Sequence, residues 1–522
     1  MKKIYLIIAA FGLLLSSVGC SDDFGDMNVK SNAVDEVDPA YFFSNMQQQV
    51  FENYQRNVNL YPDLYSQYWA NTVSGFGSAR YEYVDGWIGN QWKEFYTGSL
   101  TESLAIKSQN SDDPYMVDAI AMSEIWICYF WSRITDSYGD VPYFEAGLGD
   151  AVPFNNQKDI YYDLFERLNT AINSLSGDIS QYSYGEYDHI YDGDVDKWRK
   201  FGNSLRLRLA MRLSNVDAAK AAAEAQAAVS GPGGLMTSND DVAKVGMWAS
   251  GWYDYLHQMA WNWDNIRASK TLTDQLNGQS TAGEDPRTPI WFTYDVDGVA
   301  TSKEDAGFAA YEGLENGYNT VPDDAKTDHC TINLEGGYID FVGSARYGKD
   351  NGMYCPVMFY SEVLFLQSEA AMRGFISGDA NALYLNGIQA SMDYVGVDAT
   401  AASDYIAGLP TLSGANEASL KQLITQKWVA NFPNGVEGWA DFRRTDYPDI
   451  TLPVGGVSAS ATVADGTWVK RINYPDNQHQ QNQANMPSSQ NTVETDRMDI
   501  KVWWDTANTK DKDGSGLMNS NL

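Results

Sequence analysis

Four histidines and four cysteines are all that 522 residues offer, so the side chains that most often hold zinc or act as base and nucleophile are scarce. His189, His257, His329 and His479 stand singly, with no His-Glu-x-x-His run and no Gly-x-Ser-x-Gly elbow. Zinc and serine hydrolase chemistry therefore find no support. Cations are also in short supply: 36 Lys and Arg face 69 Asp and Glu, a formal net charge of -33. That field repels phosphate backbones and argues against nucleic acid as a partner. After the N-terminus no run of about 18 apolar residues occurs, and no long series of alternating strands with aromatic girdles, so the chain is not itself a membrane channel.

What the N-terminus does contain is an address. Met1-Lys2-Lys3 precedes an apolar stretch from Ile4 to Leu15, followed by Ser17-Val18-Gly19-Cys20. A basic start, a short apolar run and small residues form a secretory signal peptide, too short to stay as a spanning helix. Cys20 looks like the lipidation site of a bacterial lipoprotein, although Ser17 stands where such sites usually carry Leu. Acyl chains there give stable anchoring at about 0.8 kcal/mol per buried CH₂. The alternative is a secreted chain cut near Gly19. Ser21-Asp22-Asp23 resembles the acidic tag of lipoproteins displayed on the outer face of the outer membrane. The expected division is a removed peptide over 1–19, a lipid-anchored tether over 20–38, and one domain over 39–522.

The hydrophobic fraction of 44 % and the aromatic fraction of 13 % supply ample core material. After Cys20 only Cys128, Cys330 and Cys355 remain, which allows one disulfide at most in an oxidising compartment. Cys330 with Cys355 is the expected pair, because Cys128 sits in an apolar helical run. The strong periodic segments are helical. From Asp196, Trp198, Phe201, Leu205, Leu209 and Leu213 form one stripe with Arg199, Arg206 and Arg212 off it, so this helix should pack on one side. Val117 to Arg133 is apolar nearly all round and reads as buried between neighbours. Val357 to Arg373 and Glu417 to Asn431 are further helices, the latter with Leu420, Leu423, Ile424 and Trp428 on its apolar side. Pro39 to Leu60, Gln91 to Lys107, Ile160 to Leu175 and Ala218 to Val229 complete the set. No clean 34-residue period appears among them. Between them lie long stretches rich in Gly, Asn, Asp and aromatics, namely 71–90, 231–264, 283–354 and 447–499, and the binding surface is expected there.

Five ordered passages carry a family resemblance. They are Phe130 to Tyr143 with its Trp131-Ser132-Arg133 and Asp136-Ser137-Tyr138-Gly139-Asp140, Tyr191 to Trp198, Asn203 to Ala210, Ser361 to Ala370, and Glu437 to Thr445; Trp503-Trp504-Asp505 also fits. Together they resemble the SusD/RagB family, in its SusD-like branch, across essentially the whole mature chain. The resemblance implies a mostly α fold: a tetratricopeptide-like helical-repeat scaffold of four units, with long irregular loops and small local β elements. It also implies a nutrient-binding surface lipoprotein of the outer membrane that serves a SusC-like TonB-dependent barrel transporter. Oligosaccharides, and in some relatives peptides, are the cargo. The quoted motifs belong to the scaffold and do not name the ligand.

Several local patterns are weaker. Gly343-Ser344-Ala345-Arg346-Tyr347-Gly348-Lys349-Asp350 falls short of a phosphate-binding loop, because Asp350 replaces the required Ser or Thr and would repel phosphate. Asp192-Gly193-Asp194-Val195-Asp196 spaces its carboxylates like a calcium loop but lacks the position-six glycine and the distal Glu, so one Asp should cap the helix at Trp198. Asp511-Lys512-Asp513-Gly514 is similarly incomplete. No cofactor is expected, a structural calcium being the one open option. Glu362 and Glu369 lie about 10.5 Å apart along one helix, beyond the roughly 5–9.5 Å of paired glycosidase carboxylates, and should pair with arginines such as Arg443 or Arg444.

The loop aromatics are the best lead. Trp248, Trp252, Tyr253, Tyr255, Trp261 and Trp263 crowd together, and although Trp252, Tyr255, Met259 and Trp263 keep helical spacing, Tyr253 and Trp261 fall off that stripe. Flat rings with a polar edge suit sugar faces. A second set, Trp69, Phe76, Tyr81, Tyr83 and Trp87, is interleaved with Gly75, Gly77, Gly86 and Gly89. From these, Trp69, Tyr81 and Trp87 join the first cluster as candidate ligand-binding residues. The expected function is a non-enzymatic surface binding protein. A surface glycoside hydrolase using loop carboxylates, and an adhesin or peptide-binding lipoprotein, are the alternatives.

Overall fold

The structure, a computed structural model, describes residues 37–49, 55–149, 151–246, 258–297, 299–333 and 354–506. The signal peptide, Cys20, most of the tether, the Gly343–Asp350 loop, Asp511–Gly514 and four of the aromatic candidates (Trp248, Trp252, Tyr253 and Tyr255) lie outside these residues. Among the described residues, twelve helices of nine residues or more dominate: α1 (Pro39–Gln48), α2 (Leu100–Asn110), α3 (Val117–Tyr138), α4 (Gln157–Ser174), α5 (Val195–Arg212), α6 (Ala218–Ser230), α7 (Lys270–Gly278), α8 (Tyr360–Met372), α9 (Ala380–Val395), α10 (Ala399–Ala407), α11 (Glu417–Ala430) and α12 (Gly435–Thr445). Successive helices pack in pairs, α3 on α4, α5 on α6, α8 on α9, and α5 joins α8 across the middle. The fold is mostly α, a tetratricopeptide-like helical scaffold carrying irregular loops.

Local sequence explains where these helices begin. Asp38, Asn156, Asp194, Asp217, Ser269, Asp379, Asn416 and Asn434 each accept a backbone N–H of the first turn. Such caps satisfy orphan donors and contribute about 1 kcal/mol apiece. Asp194 is thus the aspartate of the 192–196 passage that caps a helix, accepting from Asp196 and Lys197. The expected helix over 91–107 is interrupted: residues Phe95–Ser99 form a π turn before α2. Its cause is Gln49, whose side-chain oxygen accepts the Ser99 N–H at 2.9 Å and so enters the helical ladder. The expected helix over 39–60 likewise stops as α1 at Gln48.

Four small antiparallel sheets, of four to ten residues each, accompany the helices. The strands are β1 (Trp69–Asn71), β2 (Val141–Pro142), β3 (Phe154–Asn155), β4 (Ala243–Gly246), β5 (Ile266–Ala268), β6 (Phe292–Val296), β7 (Val299–Thr301), β8 (Thr331–Ile332) and β9 (Tyr354–Met358). They pair as β1 with β5, β2 with β3, β4 with β9, and β7-β6-β8. Strand β9 corrects the expected helix start at Val357. Pro356 cannot donate to a helical or strand ladder, and it sits opposite Lys244 where the register shifts, a position that tolerates it.

One continuous apolar cluster runs from Ala40 to Trp504, and a second joins Phe365, Tyr384, Ile388, Met392, Leu420 and Ile424. Helix α11 bridges them, giving Leu420, Leu423 and Ile424 to the smaller cluster and Trp428 to the larger. Cys128, Cys330 and Cys355 are all buried thiols, so the expected Cys330–Cys355 disulfide is not formed. Burial pushes the Cys128 thiol up to about 12.

Helix α5 departs most from its sequence pattern. Its apolar stripe is buried as expected, but Arg206, Arg208 and Arg212 are buried as well, so the helix packs on more than one side. Each finds an acid. Arg208 forms a two-pronged bridge to Glu362 at 2.7 Å for both contacts, Arg212 reaches Glu437 at 2.5 Å and Asp136 at 3.3 Å, and Arg206 meets Glu224 at 2.6 Å. Glu369 takes Arg444 at 2.6 and 2.7 Å and Arg373 at 2.9 Å, as expected for Arg444. Glu362 pairs instead with Arg208. Arg443 lies 3.5 Å from the centre of the Trp439 ring and donates to the carbonyls of Asp136 and Lys470.

Candidate functional site

The long irregular stretches converge on one another. Pairing of β1 with β5 brings the first beside the second, continued by Thr72 N–H donating to Asn265 O at 2.9 Å. The third joins through Gly75 N–H to Asn319 O at 2.8 Å and Val321 N–H to Ser74 Oγ at 2.9 Å. The fourth is stitched on by Val454 and Gly455 N–H groups, which donate to Asn316 and Gly317 carbonyls at 3.0 and 2.9 Å. Gly317 is required here: its φ is +78°, and a Cβ would strike Pro453 and the Ala79 carbonyl. Arg80 binds the crossing together, donating to Asn319 Oδ1 at 2.7 Å and to Gly456 O at 2.9 Å. A single guanidinium with several fixed donors suits such a junction.

Within this layer the candidate aromatics separate. Trp69 is fully buried, its ring 5.2 Å from Phe432 and 6.2 Å from Phe292. Tyr81 is buried too, edge-on to Tyr65 at 5.5 Å, and burial drives its hydroxyl pKa upward. Both are core residues rather than ligand-facing ones, which corrects the expectation for them. They fell into the candidate set because glycine neighbours imply a loop, yet β1 turns inward at Trp69. Trp261 is half-buried and donates its indole N–H to Ile332 O at 3.0 Å. Trp263, 46 % exposed, faces out, whereas Met259 is fully buried; residues Gln258–Asn262 form a π turn, so the helical spacing between them does not hold.

Trp87 is 38 % exposed and stacks on Phe76 with ring centres 5.8 Å apart and planes 20° from parallel. Phe76 in turn packs on the main core, so the pair forms a backed aromatic shelf. On the same loop the Tyr83 hydroxyl donates to Asp85 Oδ1 at 2.9 Å, and Asp476 N–H donates to the same oxygen at 3.1 Å. Burial raises the Tyr83 pKa, keeping the phenol protonated and a donor. A flat, partly exposed apolar face of this kind can hold the C–H face of a sugar ring. Arg80, Asp85 and Asn319 were not singled out from sequence. No signal there could reveal them, since their roles depend on partners hundreds of residues away.

Glu362 and Glu369 both serve in buried ion pairs, with Arg208 and with Arg444 and Arg373. Burial alone would raise Glu369, but Arg444 and Arg373 hold it down at about 2, an ion-pair member rather than a general acid. Among the described residues no group of three or more His, Cys, Asp or Glu is arranged to hold a metal ion. No described helix is long and apolar enough to cross a membrane. A separate cleft lined by Gln49, Asn57, Gln91, Glu94, Phe95 and Arg133 is too small for a sugar ring.

Residues 31–475 match the SusD-like family model described as starch-binding and associating with the outer membrane. The chain belongs to the SusD-like family. No curated protein sequence matches it. Among solved structures it is similar to a chitin-binding SusD homologue from Flavobacterium johnsoniae, at 26 % identity and a TM-score of 0.74 over 93 % of this chain and 100 % of the other. A SusD homologue from Parabacteroides distasonis is 25 % identical, with a TM-score of 0.74 over 90 % and 98 % of the two chains. One from Bacteroides vulgatus is 23 % identical, with a TM-score of 0.71 over 90 % and 97 %, and shares the fold. The SusD-like helical scaffold thus extends over nearly the whole described chain.

Proposed function

We propose that this SusD-like protein is a non-enzymatic carbohydrate-binding lipoprotein of the outer-membrane surface, anchored through Cys20, that captures oligosaccharide and delivers it to a TonB-dependent barrel transporter. The observation that carries the reading is the exposed Trp87 ring, held flat on Phe76 at the place where the long loops meet. Trp263 and the half-buried Trp261 supply further aromatic surface in the same layer. Family membership and the chitin-binding relative favour a glycan over a peptide. The fold supports the division of labour: helices stabilised by buried ion pairs supply a rigid base, and loops supply the contacts. A chain with no spanning helix in its described part needs a channel to move cargo inward, which supports the transporter partnership.

Titrating the purified mature protein against neutral oligosaccharides, including starch and chitin fragments, by calorimetry tests this. Binding in the micromolar to millimolar range, weakened by about tenfold or more in Trp87→Ala, is expected, since an aromatic anchor contributes on the order of 1.4 kcal/mol or more. Undiminished binding in that variant would remove the shelf from the site, and turnover of the glycan would favour a hydrolase.

A further inference from the structure

Nine arginines are buried among the described residues. Arg206, Arg208, Arg212, Arg267, Arg287, Arg444 and Arg471 each hold a carboxylate, and Arg443 donates to two main-chain carbonyls. Arg133 has neither. It is 6 % exposed, and among the described residues its one hydrogen bond is a long one, 3.4 Å from Nη1 to the Tyr129 hydroxyl. Its Nε has no partner. The Tyr129 ring, 5.7 Å from the guanidinium carbon, adds a weak cation–π contact. Arginine cannot shed its charge, and a buried cation without an acceptor is strongly destabilising. A guest that accepts hydrogen bonds would relieve this.

Arg133 lines the cleft that is too small for a sugar ring, where the end of α1, the π turn Gln55–Asn59, the short helix Asn90–Glu94 and α3 meet. About 20 Å³ is free there, room for one guest of water's size, which needs roughly 10–15 Å³. Two features favour an anion over a water. The first is the hydrogen-bond inventory. Gln49 Oε1 is taken by the Ser99 N–H at 2.9 Å, Asn57 Oδ1 by Asn90 Nδ2 at 3.4 Å, and Gln91 Oε1 by the Tyr61 hydroxyl. The amide oxygens of the wall are engaged, so what Arg133 Nε and Gln91 Nε2 offer a guest are donors. A water must also place two protons of its own; a halide has none. The second feature is charge. Glu94 is the one acid on the wall, half-buried, and takes Asn57 Nδ2 at 2.6 Å. Solvent screens its charge, whereas the field of buried Arg133 is undiluted. Further out, Glu102 accepts from Gln49 Nε2 at 3.4 Å and Arg56 is exposed on the π turn, while Arg443 and Asp63 act on the Tyr61 hydroxyl in opposite senses. Neither sign dominates around the cleft.

We infer that this cleft is a binding site for a small monovalent anion of the halide class, held by the Arg133 guanidinium and the Gln91 amide. The anion ties the end of α1 and two short helical segments to the buried helix α3. Bromide is the probe, because its anomalous scattering identifies it. Crystals of the mature protein soaked in sodium bromide are expected to show an anomalous peak in contact with Arg133. In solution, raising bromide from about 10 to about 500 mM, balanced with gluconate at constant ionic strength, should lift the melting temperature of wild type by about 1–2 °C relative to Arg133→Met. That variant keeps the apolar stem and drops the charge. Glu94→Gln removes the repelling carboxylate and should respond to bromide more strongly than wild type. An ordered water at this place in the soaked crystal, or Glu94 closed onto Arg133, overturns the inference. So does a peak with no shift of melting temperature, which would mark binding at crystal concentration only. Should Arg133→Met fail to fold, Glu94→Gln decides: a response no larger than that of wild type would make Glu94 the counter-ion of Arg133 and overturn the site.

Discussion

Arg208, Arg212, Arg444 and Lys427 lie inside the helical scaffold against Glu362, Glu437, Glu369 and Asp441, all essentially out of water. In the loop layer Arg80 does a similar joining task half-exposed, and its listeners are an amide oxygen and main-chain carbonyls. Buried charge pairs are unforgiving of change because removing one partner strands the other in a low-dielectric interior. Carbonyl acceptors are supplied by every residue, so the loop junction constrains side chains far less. The scaffold is thereby locked to particular residues and the loops are left open to vary their aromatics.

The largest break in this contrast should come from Glu369→Ala. It leaves Arg444 and Arg373 without their carboxylate and is expected to cost about 3–5 kcal/mol of stability, read as a shift in the urea midpoint. Trp87→Ala should move the same midpoint by no more than about 1 kcal/mol, because its ring is partly solvated. A Glu369 variant as stable as Trp87→Ala would show that the buried pairs are not what distinguishes the scaffold.

Acid offers a second route. Glu369 is held at about 2 against an ordinary 4.5, so its contribution is present above pH 4.5 and is lost as pH falls from there through about 2. The shift corresponds to about 3 kcal/mol. Glu437 is lowered in the same sense by Arg208 and Arg212, despite burial. Urea midpoints measured between about pH 5 and 3 should therefore drop for wild type. They should drop less for Glu369→Gln, which has already lost the titrating group. Equal slopes would place the acid sensitivity elsewhere.

Affinity rather than stability should respond in the loop layer. Trp87→Ala is expected to weaken glycan binding by about tenfold or more, and Trp263→Ala by a few-fold. Trp69→Phe, in the core, should leave affinity unchanged while lowering stability, and a selective affinity loss there would return Trp69 to the ligand.

These contrasts also explain what could be read from the chain. Helices α3, α4, α6 and α11 were legible because apolar periodicity is a local property. Arg212 was misread as a solvent-side residue because the stripe rule counts apolar residues, and nothing local announces Glu437 or Asp136 as its partners. Pro356 and the bulge at Lys244 turned the expected first turn of α8 into β9, a tertiary choice. In the candidate site, glycine-rich spacing marked a loop but could not separate exposed Trp87 from buried Trp69 and Tyr81. Which ring faces out is decided by β1 pairing with β5, almost two hundred residues downstream. The family passages were legible because they hold the buried charges, which carry no information about the loops.

The smallest expected effect lies where loop and scaffold meet. His479 Nε2 is 3.1 Å from Asp496 Oδ2, and Asp496 also takes the Arg471 guanidinium and the Tyr474 N–H at 2.7 Å. The hydrogen bond to Asp496 raises the His479 pKa above 6.5, with Asp476 acting in the same direction and burial against it. A raised pKa means that the stabilisation is full below about 6.5 and is lost as pH rises through the folded value. The stability gap between wild type and His479→Asn should narrow from about pH 6 to about pH 8. Arg471 remains bound to Asp496 throughout, so the segment should loosen rather than detach, and Trp87-dependent glycan affinity should stay flat over the same range. A gap that widens with pH would mean that His479 is seated as a neutral ring, and that the fourth loop is held to the helices by Arg471 alone.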